Sequence, residues 1–305
     1  MTKPIFSGVF PIAPVPFNDD ETLDIEGAKR VLDCMIDQGV DGICVLANYS
    51  EQFLLSDEER DVVLKLSLEH INGRVPVIAT CSHYSTTIVV QRIQRAKELG
   101  AAMIMLMPPY HGALLKGSEQ HTYDQFSRAA DVGLPLMVQD APLSGVNLSV
   151  SALVNMAKNI PGVSYLKIET AATADKLAAV INKAGDSLDG PFDGEESITL
   201  LADLDAGATG TMPSASIPDL IKPVLTNYLA GDRQTAKDQY DIILPFINYE
   251  NRQCGLRACK TLMMEGGVIK SDRVRHPLDP LPDRSRNGLI EIANALNPVV
   301  LRWGK

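Results

Sequence analysis

Lys167 lies inside an apolar run, Val163-Ser164-Tyr165-Leu166-Lys167-Ile168, that follows Gly162 and reads as a buried strand. A cationic side chain on such a strand costs free energy unless it is paired or gives up its proton. A lysine driven towards neutrality is a nucleophile, and its usual use is a Schiff base with a ketone or aldehyde. Glu169 lies two residues on, so in a strand it shares a face with Lys167. Two readings fit this pair: a nucleophile with a carboxylate at hand, or a structural Lys–Glu ion pair near a strand end.

Other chemistry-bearing residues also follow apolar runs. They are Asn48, Tyr49, Ser50 and Glu51; Ser82, His83 and Tyr84; Tyr110 and His111; Gln139 and Asp140; Glu195 and Glu196; and Ser214. Each alone has a plain reading as a loop, packing or helix-start residue. Together they point to one end of a repeated strand–helix architecture. His83 and His111 belong to no metal-ligand spacing, so no metal is expected.

The elements that must position these residues follow a slow rhythm. Gly39, Gly73, Gly100, Gly133, Gly162, Gly185 and Gly207 each follow a helix-like segment, where glycine closes a helix in the left-handed conformation. Apolar runs follow, giving expected strands at 8–14, 40–46, 75–80, 101–107, 134–138, 163–168, 187–192 and 207–212. Ile25, Ala28, Leu32, Met35 and Ile36 form a helical stripe, and Ser56-Asp57-Glu58-Glu59 is a capping box. Eight strands alternating with helices, apolar on both faces, predict a (β/α)8 TIM barrel over 1–225. No G-x-G-x-x-G follows the first strand, which argues against an open dinucleotide-binding sheet. Helices expected at 240–249, 255–265 and 285–296 form a C-terminal extension over 226–305.

Composition narrows the function classes. The chain has 305 residues, 45% hydrophobic and 22% charged, with a formal net charge of -10. With no basic block, neither nucleic acid nor an anionic membrane is an expected partner. No signal-like or membrane-spanning run is present. Cys34, Cys44, Cys81, Cys254 and Cys259 are odd in number and include no C-x-x-C pair, which suits free thiols in a reducing cytoplasm.

Beyond these patterns, the chain resembles the pyruvate-dependent class I aldolase superfamily of dihydrodipicolinate synthase and N-acetylneuraminate lyase. The resemblance is carried by Pro14-Val15-Pro16-Phe17, the motif after strand two, the Pro108-Pro109-Tyr110 turn, Asp140-Ala141-Pro142 and Lys167. It implies a Schiff-base lysine at Lys167, a 2-oxo acid held through its carboxylate near Asn48 and Tyr49, and a homotetramer. It also implies that Tyr110 serves either its own or a neighbouring subunit's site. Three departures matter. The usual G-[ST]-T-G-E is Ala47-Asn48-Tyr49-Ser50-Glu51 here, the catalytic tyrosine of strand five is Gln139, and the arginine shortly after that strand is absent from Leu143-Ser144-Gly145. An amide has no proton chemistry near neutral pH, so the usual aldolase relay cannot run unchanged.

The longer strings Asn48-Tyr49-Ser50-Glu51-Gln52-Phe53, Gln139-Asp140-Ala141-Pro142, Lys167-Ile168-Glu169-Thr170 and Asp193-Gly194-Glu195-Glu196 are similar to the L-2-keto-3-deoxyarabonate dehydratases within that superfamily. So are Ser82-His83-Tyr84-Ser85-Thr86 and Asn251-Arg252-Gln253. This resemblance implies dehydration of a 2-keto-3-deoxy sugar acid to 2-oxoglutarate semialdehyde in pentose breakdown, with no cofactor. Lys167 is then the nucleophile, Glu169 the proton-transfer group, and Tyr49 a carboxylate binder or proton relay. Asn48, Gln139, Tyr110, His83, Glu195, Glu196 and Ser214 are the expected substrate contacts. A retro-aldolase releasing pyruvate is the alternative enzyme reading.

Overall fold

The computed structural model describes residues 6–112, 115–141 and 144–305. Pro142, which ends the Asp140-Ala141-Pro142 motif, and Leu143 lie outside the described residues. Along the chain, β1 (Gly8–Val9), α1 (Ile25–Asp37), β2 (Ile43–Val45), α2 (Asp57–Ile71), β3 (Val77–Thr80) and α3 (Thr86–Leu99) alternate. The alternation continues through β4 (Met103–Leu106), α4 (Glu119–Ala130), β5 (Leu136–Asp140), α5 (Val150–Asn159), β6 (Val163–Ile168) and α6 (Thr173–Ala184). It closes with β7 (Gly190–Asp193), α7 (Leu200–Asp205), β8 (Gly210–Thr211) and α8 (Pro218–Leu229). All eight expected strands are present. The first is shorter than its apolar run, with an isolated bridge at Ile12 beyond its end.

Local chemistry sets the helix bounds. Ser56 Oγ accepts from the Glu59 amide while Glu59 accepts from the Ser56 amide, completing the expected capping box of α2. Gly100 closes α3 at φ 94°, a conformation strained for any residue with a side chain. Beyond α8 come α9 (Arg233–Tyr249), α10 (Arg257–Glu265) and α11 (Asp283–Leu296). A π-helical turn over Glu250–Cys254 follows α9. α9 begins earlier than the expected 240–249, because Asp232 caps it through the Thr235 amide. Among the described residues, no helix is long and apolar enough to cross a membrane.

The chain divides into two compact units. The first contains 77–212 with 6–7 and carries β3 to β8. Its strands pair in parallel in chain order, β3 with β4, β4 with β5, β5 with β6, β6 with β7 and β7 with β8. Their residues are almost wholly buried, as strands covered on both faces must be. The pairing of β5 with β6 slips once. Leu136 pairs with Val163, but Met137 pairs with Tyr165, so β6 holds one extra residue at a bulge. Beyond the slip, Gln139 stands beside Lys167 and Asp140 beside Ile168.

The second unit contains 8–76 and 213–305. In it Ile12 bridges both Cys44 and Ser214. Helix α8 packs on α9, and α11 packs on α9 and α10. A buried ion pair lies within this unit. Lys260 pairs with Glu51, and its ammonium lies 4.3 Å from the Phe17 ring centroid, with the Arg275 guanidinium 4.4 Å from that ring.

Candidate active site

Lys167 sits near the C-terminal end of β6 and is 2% exposed. Its Nζ lies 2.5 Å from Oε1 of Glu169, just past the strand end. Alternation along the strand puts both side chains on one face, as the sequence predicts. From β5, Gln139 Nε2 donates to both carboxylate oxygens of Glu169, at 3.1 and 3.3 Å. One carboxylate therefore bridges the amine and the amide. The other end of the amide, Gln139 Oε1, is buried and receives no hydrogen bond from the described residues. A buried acceptor in that state is costly unless something donates to it.

The neighbours of this cluster are held from behind. Asp140, next to Gln139, is buried and pairs with Lys176 of α6. Its backbone carbonyl accepts from the Glu169 amide at 2.9 Å. Just past the end of β7, Gly194 presses on the pair. A Cβ there would lie 2.6 Å from Cγ of Lys167 and 2.7 Å from Cγ of Glu169. Only a glycine lets this segment come so close. Asp193, the residue before it, is fully buried, as is Asp203 of α7. Burial pushes both carboxyls well above the usual carboxylate range, Asp203 to about 8.

Tyr110 and His83 belong to this same unit. Tyr110 lies on a two-residue strand, Tyr110–His111, paired antiparallel with Leu115–Lys116. Desolvation raises its phenol above its ordinary value. His83 Nδ1 accepts from the Ser85 amide at 2.9 Å, which fixes the ring where α3 begins. Glu195 and Glu196 follow Gly194, and Glu196 and Ser197 both take positive φ, 49° and 67°. Consecutive non-glycine residues in that region mark a constrained turn.

Asn48, Tyr49 and Ser214 belong to the second unit. Asn48 and Tyr49 open a 3-10 turn over Asn48–Ser50, and Asn48 Oδ1 accepts from Gln52 Nε2 at 2.7 Å. Ser214 Oγ donates to Glu250 at 2.7 Å, and Ser216 Oγ donates to the same oxygen at 2.5 Å. Glu250 is fully buried, and that burial carries its carboxyl up to about 7 against the pull of the two hydroxyls. Sequence reasoning missed Glu250, Asp203 and the role of Gly194, although the Asp193-Gly194 string was singled out. Among the described residues, no group of three or more histidine, cysteine or acidic side chains is placed to hold a metal ion.

Comparison with known proteins sharpens this picture. The chain is 50% identical over 303 residues to L-2-keto-3-deoxyarabonate dehydratase of Azospirillum brasilense, covering 99% of this chain and 98% of the relative. It is 27% identical over 292 residues to 4-hydroxy-tetrahydrodipicolinate synthase of Pelobacter propionicus, covering 94% and 98%. A crystal structure of a putative dihydrodipicolinate synthetase from Pseudomonas aeruginosa matches with a TM-score of 0.89 at 25% identity, covering 95% of this chain and 99% of that one. The eight βα repeats are those of a (β/α)8 TIM barrel with a C-terminal helical segment, as the sequence predicts. The profile of the dihydrodipicolinate synthetase family matches residues 5–296, and the chain belongs to that family.

Proposed function

We propose that this protein is a hydro-lyase that converts 2-keto-3-deoxy-L-arabonate to 2-oxoglutarate semialdehyde and water through a Schiff base on Lys167. The observation that carries the reading is the contact of Glu169 with Lys167, steadied by Gln139. A carboxylate there supplies acid–base chemistry that an amide cannot. The 50% identity to a dehydratase of that name supports the same assignment.

In this mechanism Lys167, once it has given up its proton, adds as the free amine to the C2 ketone. Loss of water gives an iminium, which acidifies C3. Removal of a C3 proton forms an enamine, and the enamine expels the C4 hydroxyl as water once that oxygen is protonated. A C5 proton is then lost to give an enol, which ketonises to the aldehyde. Hydrolysis of the iminium frees Lys167. Glu169 is the assigned proton carrier at C3 and at the C4 oxygen. The unfilled acceptor Gln139 Oε1 is assigned to a substrate hydroxyl. Asn48 and Tyr49 are assigned to the substrate carboxylate end, with Tyr49 also a candidate proton relay.

Tyr110, His83, Glu195 and Glu196 are assigned to the far hydroxyls. Ser214 Oγ already donates to Glu250 and accepts from the Ser216 amide, so a single lone pair is left for a substrate. Residues 1–225 are read as the catalytic barrel and 226–305 as its extension. A cytoplasmic homotetramer acting on a 2-oxo sugar acid completes the proposal.

Product analysis tests the reading. Purified protein with 2-keto-3-deoxy-L-arabonate should yield semialdehyde, reported by a semialdehyde dehydrogenase, with little pyruvate, reported by lactate dehydrogenase. Stoichiometric pyruvate without semialdehyde would replace the dehydratase with a retro-aldolase and leave Lys167 in place.

A further inference from the structure

Asp193 and Asp203 are both fully buried in the same unit as Lys167. Each carboxyl has one oxygen satisfied by a threonine. Thr211 Oγ1 donates to Asp193 Oδ2 at 2.5 Å, and Thr199 Oγ1 donates to Asp203 Oδ2 at 2.6 Å. The second oxygen of each, Oδ1, is buried and receives no donor from the described residues. Helix α7 packs on β7, and each carboxyl is close enough to shift the titration of the other. Two buried acceptors cannot bond without a hydrogen between them. One proton satisfies both, and it also removes one of two like charges from an apolar layer. The charged groups facing the pair are Lys167 from β6 and Glu195 from the turn after β7.

The place of the pair gives it a task. Asp193 stands beside Ile168 and Thr211 in the sheet, and Gly194 follows it directly. Gly194 packs against Cγ of both Lys167 and Glu169. Whatever holds Asp193 to α7 therefore holds the wall against which those two side chains are seated. We propose that Asp203 is a positioning residue that shares one proton with Asp193, and that this bond keeps the turn through Gly194 seated against Lys167 and Glu169. When the proton leaves at alkaline pH, two buried carboxylates repel, and the turn shifts away from the amine. The positioning role rests on the reading of Lys167 as the Schiff-base nucleophile.

Asp203→Asn tests the proposal. An amide at 203 accepts from Thr199 with its oxygen and donates to Asp193 with its nitrogen, so the bond persists without a titrating proton. Two measurements are compared with wild type. The first is Tm against pH. The shared proton makes the wild-type fold lose stability as pH rises from about 4 towards 8, whereas the variant lacks that loss. The Tm difference between the two should therefore shift by about 3–5 °C from pH 6 to 8. The second is the rate of reductive trapping of Lys167 with pyruvate and cyanoborohydride. Wild type should lose rate on its alkaline side, and that limb should move up by about one pH unit or more in the variant.

An unchanged Tm difference across this range would overturn the shared proton. A changed Tm difference with an unmoved trapping limb would overturn the positioning role. Asp193→Asn preserves the same bond in the reverse sense and should give both results, so it decides the matter if the first variant does not fold. Absence of any pyruvate adduct in wild type would defeat the nucleophile assignment and with it the positioning role, leaving the proton sharing to stand or fall on the Tm comparison. A wild-type adduct without semialdehyde would defeat the dehydratase reading alone, and both measurements would still decide this proposal.

Discussion

A methyl group on Gly194 would stand 2.6 Å from Cγ of Lys167, closer than any carbon tolerates. No positive φ forces glycine at this position, so the need is for space and not for backbone freedom. Gly194→Ala should therefore displace Lys167 and Glu169 together. Overpacking of this kind costs about 1–3 kcal/mol in stability. Turnover should fall by more than about 10-fold, because small misplacements at a reacting centre are amplified. A variant with wild-type kcat and Tm would show that the segment yields without moving the pair.

Lys167→Arg should leave no turnover and no adduct after treatment with pyruvate and borohydride. A guanidinium stays protonated and cannot add to a ketone. Peptide mass spectrometry of the wild type should place a three-carbon adduct on Lys167. An adduct on another lysine would end the assignment.

Glu169→Gln keeps the size of the side chain and one hydrogen-bonding oxygen. It removes the proton carrier and sets two amides against each other at Gln139. A loss of about 10²–10⁴ in kcat is expected, with adduct formation from pyruvate retained. Near-normal kcat would reduce Glu169 to a group that only orients its neighbours.

Much of this site is visible in the chain before it folds. The two-residue spacing of Lys167 and Glu169 fixes their shared face, and the apolar runs locate all eight strands. The seventh strand reads weakly because Gly190 and Pro191 are poor strand formers. What the sequence hides are relationships between distant segments. Asp203 reads as an exposed helix acid, yet α7 turns it towards Asp193. Glu250 looks like any acid near a helix end, but the π-helical turn buries it against Ser214 and Ser216. Neither pairing has a local pattern, since each depends on where a helix lands.

Glu250 gives a prediction of its own. Its folded carboxyl titrates near 7, above the value near 4.5 expected in an unfolded chain. A raised folded value means that the folded state binds the proton more tightly. Its contribution to stability is then fullest below about pH 4.5 and is lost as pH rises to about 7. Within that window the slope approaches about 1.4 kcal/mol per pH unit. Glu250→Gln should flatten the fall of stability between pH 5 and 7, measured by denaturant unfolding at each pH. Parallel curves for the two proteins would show that Glu250 is already ionised at pH 5.

The single slip between β5 and β6 sets the phase of the strand ends that carry Gln139 and Lys167. Paired residue for residue with no slip, Gln139 would stand beside Leu166, and Asp140 beside Lys167. The bridging amide would then lie on the face opposite the amine, and the carboxylate paired with Lys176 would compete for it. Loss of Ser164 would take out the bulge and leave Gln139 beside Lys167, whereas one residue added between Tyr165 and Lys167 would carry Lys167 a place past Gln139 and turn it to the other face.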